Sequence, residues 1–320
     1  MSEKAPFNLH ESPIYKAHVR KTPLLSLTEK RNFFCKLECC QIGGSFKIRG
    51  SLSTLLTLKA QGKTEGVITA SMGNTATGLA YAGRLLNYPV AVVMPETVSR
   101  IKLKATQKIG AEVILKGKVG DDAIAHASEV AQRRNILFVH PHKTAPFLDG
   151  NGTIAQEIIE ELPGVRQIFI PIGGGGLASG ICQYIKGKGL SVKPIGVEAK
   201  QAPAFYLSFE KGRPVRLESM DTIADALTLM EPDPDVFSYL YRNLEEVVTV
   251  SEEEIISAMK ILFDEFRVIA EPGGAAPLAA MLKADPIVPS AAIISGGNVS
   301  LEEFQTLLSR QICFDSLQPS

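Results

Sequence analysis

The stretch Gln167-Ile-Phe-Ile-Pro171-Ile-Gly173-Gly-Gly-Gly176-Leu-Ala-Ser-Gly180-Ile-Cys-Gln-Tyr-Ile-Lys186 passes from a short apolar run, through four consecutive glycines, into a helical pattern. Its first part reads as a buried strand, Gln167–Pro171, and its last as a helix, Leu177–Lys186. Four glycines let the backbone fold tightly, so several N–H groups can point at one anion. The helix that follows adds its positive N-terminal end. This is the strongest phosphate-binding signal in the chain. A ligand-free turn would gain nothing from glycine packed between a buried strand and a helix.

The same alternation continues in both directions. Strand candidates are Phe33–Cys39, Gly66–Ala70, Val90–Met94, Ala111–Leu115, Lys193–Glu198 and Ala291–Ser295. Helical patterns lie between them, at Asn74–Leu86, Asp121–Arg134 and Thr153–Glu161, and Ser251-Glu-Glu-Glu254 offers a capping box for a helix to about Phe266. Strands alternating with helices predict an α/β fold whose parallel sheet is covered on both faces. Two more loops follow buried strands and are expected to open helices, Ser71-Met-Gly-Asn-Thr75 and Ser295-Gly-Gly-Asn298. Ligands of open α/β sheets bind at the carboxyl ends of the strands, so three such loops predict one composite site.

The 320 residues correspond to about two domains at roughly 150 residues each. With 34 basic and 34 acidic side chains the formal charge is zero, which argues against coating nucleic acid or clinging to an anionic membrane. At 45% apolar and 21% charged residues the chain can bury a full core. The start of the chain, MSEKAPFNLHESP, has no apolar run and does not read as a signal peptide, so a cytoplasmic location is expected. The longest uncharged stretches, Gly66–Gly83 and Gln167–Ile185, are broken by Gly and polar residues and read as buried units, not membrane helices. Of five cysteines, Cys35, Cys39 and Cys40 crowd together while Cys182 and Cys313 stand alone; with no CxxC and no histidine at ligand spacing, free buried thiols are expected and zinc is not.

A second chemical signal is Gly43-Gly-Ser-Phe-Lys47-Ile-Arg49-Gly50. Most lysines are solvated surface charges. Lys47 instead sits between Phe46 and Ile48, just after a double glycine, at the start of an apolar helix. Such surroundings favour a neutral amine, available to form a Schiff base. The five histidines (His10, His18, His126, His140, His142) form no pattern with a serine, and His140-Pro141-His142 reads as a strand end, not a metal site. Gly173-x-Gly175-x-x-Ala178, with Glu198 about 20 residues on, also satisfies a dinucleotide fingerprint, so an NAD-dependent dehydrogenase stands as an alternative of another class. It leaves Lys47 and Ser295 unexplained. Gly62-Lys63-Thr64 lacks the first glycine of a Walker A loop, because Thr57 stands there.

The lysine in Ser-Phe-Lys-x-Arg-Gly, Ser-x-Gly-Asn, the tetraglycine loop and a final Ser-Gly-Gly-Asn occur together in this order. The chain thereby resembles the fold-type II pyridoxal-phosphate enzymes, and most closely the serine/threonine dehydratases with their serine racemase and ectoine-utilisation relatives. Lys36-Leu-Glu38, His140-Pro141, Gly150-Asn-Gly-Thr-Ile-Ala155, Gly196-Val-Glu198, Thr222-Ile-Ala-Asp225 and Ala270-Glu-Pro-Gly-Gly-Ala275 extend the resemblance over about Thr22–Val299. It implies a tryptophan synthase beta-like fold, with two open, twisted, mostly parallel sheets and flanking helices. A large cofactor-binding domain would comprise residues 1–49 plus 148–320, and a small mobile domain carrying the substrate loop residues 50–147.

The resemblance also implies pyridoxal 5'-phosphate as cofactor. Lys47 would be the catalytic Schiff-base lysine, with Phe46 beside it. Asn74 would face the cofactor's 3-hydroxyl. Gly173, Gly174, Gly175, Gly176 and Leu177 would hold the phosphate, and Ser295 would meet the pyridine nitrogen. A neutral hydroxyl at that nitrogen makes the ring a weaker electron sink, which suits elimination. Ser71, Met72, Gly73, Asn74 and Thr75 would grip the substrate carboxylate. The activity implied is an ammonia-lyase (dehydratase) converting a small β-hydroxy amino acid, such as serine or threonine, to a 2-keto acid and ammonia, in a homodimer. A β-replacement or other α,β-elimination enzyme of the same fold, cysteine synthase-like or an ectoine-degradation lyase, is the alternative within the family. Thr75 stands where dehydratases usually have histidine, and Asn-Thr is familiar from the β-replacement branch. Met72 replaces the second proton-transfer serine of the racemases. Asn151 and Ala226 replace a common glutamine and glycine. Ala204 replaces an acid of the racemases' divalent-metal site, so no metal is expected there. The chain stops at Ser320 without a regulatory domain, so control by isoleucine is not expected.

Overall fold

In the computed structural model the described residues are 12–310, apart from 99 and 119. Residues 1–11, with His10, and Cys313 lie outside the described residues. The strands are β1 (Leu24–Ser26), β2 (Phe33–Lys36), β3 (Val67–Ala70), β4 (Val90–Met94), β5 (Glu112–Leu115), β6 (Leu137–Phe138), β7 (Gln167–Pro171), β8 (Lys193–Ala199), β9 (Glu246–Val250) and β10 (Ser290–Ile293). The helices are α1 (Pro13–His18), α2 (Lys47–Ala60), α3 (Asn74–Leu86), α4 (Arg100–Ile109), α5 (Gly120–Arg134), α6 (Ala145–Glu161), α7 (Gly176–Gly187), α8 (Ala204–Lys211), α9 (Pro234–Tyr241), α10 (Glu252–Phe266), α11 (Pro272–Ala284) and α12 (Leu301–Ser309). None is long and apolar enough to cross a membrane.

The described chain divides into two compact units. One contains the residues up to Thr22, Gln41–Glu161 and Gly175–Leu190. Its sheet has the order β5-β4-β3-β6, and every pairing in it is parallel. β4 is buried along its whole length, as its β-branched run requires. One face carries Ile48, Leu52, Leu55, Leu79 and Phe147, the other Ile68, Val93, Ala127 and Val130.

The second unit contains Pro23–Cys40, Leu162–Gly174 and the residues from Ser191 onward. Its sheet has the order β1-β2-β10-β7-β8-β9, parallel except for the β1–β2 pair. Its core gathers Phe33, Phe169, Val197, Met259, Leu278 and Ile294. The capping box of α10 forms as expected: Ser251 Oγ accepts from Glu254 N–H, and the Glu254 carboxylate accepts from Ser251 N–H at 2.7 Å.

Two mostly parallel α/β sheets with flanking helices match the expected fold class. The differences are local. β2 stops at Lys36, because Cys39 N–H turns away to donate to the Ile294 carbonyl and Glu38–Cys40 winds into a short 3-10 turn. α6 starts at Ala145, eight residues before the expected Thr153, because Gly150 and Gly152 hide a helix that packs at close range. The loop after β10 does not open a helix directly; α12 waits for the cap Ser300. β1, β6 and β9 were not anticipated. The four-stranded sheet falls within residues 50–147, while the compact unit around it also takes in all of α2, α6 and α7.

Candidate active site

In the first unit, the chain reaches Lys47 through Gly43 and Gly44, whose φ values of 80° and 72° are left-handed. Lys47 is the first residue of α2 and is half-buried. Its Nζ lies 4.8 Å from the centre of the Phe46 ring and 5.9 Å from that of Phe147, an apolar setting for an amine. α3 runs alongside: a Cβ added to Gly78 would stand 3.0 Å from Lys47 Cβ. Asn74 lies four residues before Gly78, on the same face of α3. The structure thus brings Phe46, Lys47 and the Asn74 face of α3 together. In the loop before α3, Ser71 Oγ accepts from Gly73 N–H at 3.2 Å. Met72 and Gly73 are exposed, whereas Thr75 is buried in the first turn.

The same unit holds Gly175, Gly176 and Leu177. Gly175 caps α7 with φ 85°, and no side chain caps that end. A Cβ on Gly176 would collide with the carbonyl oxygen of Pro141, so only glycine lets the His140-Pro141-His142 turn approach α7 this closely. The first intrahelical bond runs from Ser179 N–H to the Gly175 carbonyl at 2.8 Å. The N–H groups of Gly176, Leu177 and Ala178 therefore have no acceptor within the helix, and they face its open end.

In the second unit, β7 and β10 are adjacent and parallel, with Ala292 opposite Phe169, so Gly173–Gly174 and Ser295 leave the same edge. Ser295 is buried. The following Gly296 carbonyl accepts from Glu271 N–H at 3.0 Å, which ties the loop to the start of α11. Glu198, at the end of β8, is wholly buried; its two oxygens accept from Phe205 and Tyr206 N–H at 2.9 and 2.8 Å. Burial pushes its carboxyl up to about 8, against the opposing pull of those two N–H groups. Cys35, Cys39 and Cys182 make poor nucleophiles. Burial pushes Cys182 up to about 12 and Cys35 higher still, and Cys39 is raised by its contact with Cys40 and by burial.

Residues 15–296 match the family model described as "Pyridoxal-phosphate dependent enzyme". An L-threonine ammonia-lyase of Geobacter sulfurreducens is 38% identical over 300 residues, covering 91% of this chain and 75% of that protein. The solved structure of threonine deaminase isoform 2 from Solanum lycopersicum, in its processed form, superposes with a TM-score of 0.86 at 32% identity, covering 95% of this chain and 92% of that one. Maize serine racemase superposes with a TM-score of 0.84 at 29% identity, covering 91% and 92%. The chain belongs to the pyridoxal-phosphate-dependent enzymes.

The residues present fit that cofactor. In one unit an amine stands among aromatic rings beside the Asn74 face of α3, and an uncapped helix start offers N–H groups suited to a phosphate. In the other, a buried neutral hydroxyl shares a sheet edge with the first two glycines of the loop. The dehydrogenase alternative falls with the family. Its ribose acid would be Glu198, whose two oxygens are already engaged within β8–α8.

Three buried charged residues, which the motif reading quoted without assigning them a role, stand near these elements. Arg49 is wholly buried and makes a bidentate pair with Glu157 at 2.7 and 3.0 Å. Lys36 and Glu38 are wholly buried at the end of β2, next to the β10 end that leads to Ser295. Charged residues inside otherwise apolar runs were the sequence signal for all three.

Proposed function

We propose that this enzyme is an ammonia-lyase (dehydratase) that converts a small β-hydroxy amino acid, serine- or threonine-like, into a 2-keto acid and ammonia. The observation that carries the reading is Lys47 opening α2 among aromatic rings, against the face of α3 that bears Asn74. The likeness to an L-threonine ammonia-lyase over nine-tenths of the chain supports it.

When bound, pyridoxal phosphate supplies an aldehyde that joins amines and a ring that draws electrons from the substrate Cα. Gly173, Gly174, Gly175, Gly176 and Leu177 would hold its phosphate, Asn74 its 3-hydroxyl and Ser295 its pyridine nitrogen, with Phe46 beside it. A hydroxyl at that position imposes no positive charge on the nitrogen. Ser71, Met72, Gly73, Asn74 and Thr75 would orient the substrate carboxylate, chiefly through backbone N–H groups at the open end of α3. Lys47 Nζ, beside the Phe46 and Phe147 rings, would take the proton from Cα. The β-hydroxyl would take up a proton, balancing the one lost from Cα, and leave as water, and the released enamine would hydrolyse to the keto acid and ammonia.

The test is a panel of serine, threonine, hydroxyaspartate and O-acetylserine, read by keto acid and ammonia. Keto acid and ammonia in equal amounts from a hydroxy amino acid are expected. Turnover of O-acetylserine alone, with sulfide incorporated, would replace the lyase by β-replacement chemistry. We also propose that residues 1–49 plus 148–320 act as the large cofactor domain and residues 50–147 as the small mobile domain. The four-stranded parallel sheet, complete within 50–147, supports that division. The protein is further proposed to be a cytoplasmic homodimer without nucleic-acid or membrane partners; balanced charge supports the absence of those partners, and the lack of a disulfide among the described cysteines supports the cytoplasm. Sedimentation at twice the chain mass is the expected result.

A further inference from the structure

Helix α6 touches, on opposite sides, the helix that begins at Lys47 and the helix that begins in the tetraglycine loop. Toward α2, Glu157 takes both ends of the Arg49 guanidinium, and Arg49 also donates to Thr153 Oγ1 at 3.0 Å. Toward α7, Asn151 Nδ2 donates to the Gly176 carbonyl at 3.2 Å, and Gln183 Nε2 donates to Asp149 at 2.7 Å. The backbones themselves are close. A Cβ on Gly150 would collide with the Arg49 carbonyl, and one on Gly180 with the Leu148 carbonyl.

Asn151 is the unusual member. It is wholly buried, and its Oδ1 accepts no hydrogen bond among the described residues. Turning the amide over would set Oδ1 against the Gly176 carbonyl, two acceptors face to face, so the orientation is fixed. A buried acceptor without a donor costs about 1–3 kcal/mol. What the amide makes in return is one bond to the first residue of α7. The Gly176–Leu177 peptide is planar and trans, so its carbonyl and its N–H point in opposite directions. Holding the Gly176 carbonyl inward aims the Leu177 N–H outward, through the open end of the helix.

We propose that Asn151 is a positioning residue for the cofactor phosphate: through the Gly176 carbonyl it sets the aim of the Leu177 N–H, and α6 keeps that cradle in register with Lys47 through Arg49. This rests on the reading of Gly173–Leu177 as the phosphate cradle. Asn151 touches neither cofactor nor substrate and acts through the backbone of α7.

The test compares two aldehydes on the apoenzyme: pyridoxal phosphate, and pyridoxal, which lacks the phosphate. Binding is read by the visible absorbance gained when the aldehyde joins Lys47, and by borohydride fixation followed by mass measurement. Asn151→Ala should weaken pyridoxal phosphate about tenfold, or ~1.4 kcal/mol, and change pyridoxal by less than about twofold. The isosteric Asn151→Asp, run alongside, keeps the shape, removes the donor and adds a negative charge behind the cradle. It should lose more phosphate-dependent affinity than the alanine variant. Equal losses for both aldehydes would mean general loosening and overturn the proposal, as would no loss in either. A wild-type apoenzyme that takes up no pyridoxal phosphate would instead defeat the cofactor-site reading itself.

Discussion

At the scale of single residues, chemistry concentrates on groups whose surroundings are unlike water. Lys47 has aromatic rings around its amine, and its replacement removes the nitrogen proposed to join the cofactor. Lys47→Ala is expected to retain no covalently fixed cofactor by mass after borohydride and to show no keto-acid production; an active Lys47→Ala with the cofactor fixed to it would contradict the assignment. Glu198 offers a test of electrostatics. Its folded-state value of about 8 lies above its ordinary 4.5, so the folded protein binds its proton more tightly than the unfolded chain. The resulting stabilisation is complete below about pH 4.5 and is lost as pH rises to about 8. Melting temperatures across that window should fall with pH in the wild type and fall less steeply in Glu198→Gln. A variant curve as steep as the wild type would show that other groups control it.

Elements were legible where their signals are local. The five strand residues Val90–Met94, the helix Asn74–Leu86 and the Ser251/Glu254 capping box all follow from β-branching, helical spacing and cap chemistry within a few residues. α6 was only half legible. Its glycines lower helix propensity, and what repays them is contact with α2 and α7, far away in sequence. The Arg49–Glu157 pair is part of that repayment. Glu157→Ala would leave a buried guanidinium without its carboxylate, and denaturant unfolding should show a loss of about 3–5 kcal/mol. A loss below ~1 kcal/mol would mean that Arg49 finds water or another acceptor.

For the whole molecule, cofactor binding and folding should be linked, because only the folded chain assembles the cradle proposed at α7. Stripping pyridoxal phosphate should lower the melting temperature, and restoring it at a hundred times its dissociation constant should return about 2.7 kcal/mol. In Lys47→Ala, which keeps the cradle but not the amine, the restoration should be smaller. Full restoration in that variant would place the binding energy in the phosphate alone.

The sequence by itself determined the α/β class, the family, and the candidates Lys47, Asn74, Gly173–Leu177 and Ser295, because each depends on residue type and order within a short local stretch. The tertiary structure decided which groups stand behind them. Glu157 meets Arg49 from 108 positions away, and Asn151 meets the Gly176 carbonyl from 25. Such partners leave no periodic trace in the chain. A buried charge or amide is tolerated only when folding delivers its partner, and that delivery is settled by the packing of helices, not by neighbours in sequence.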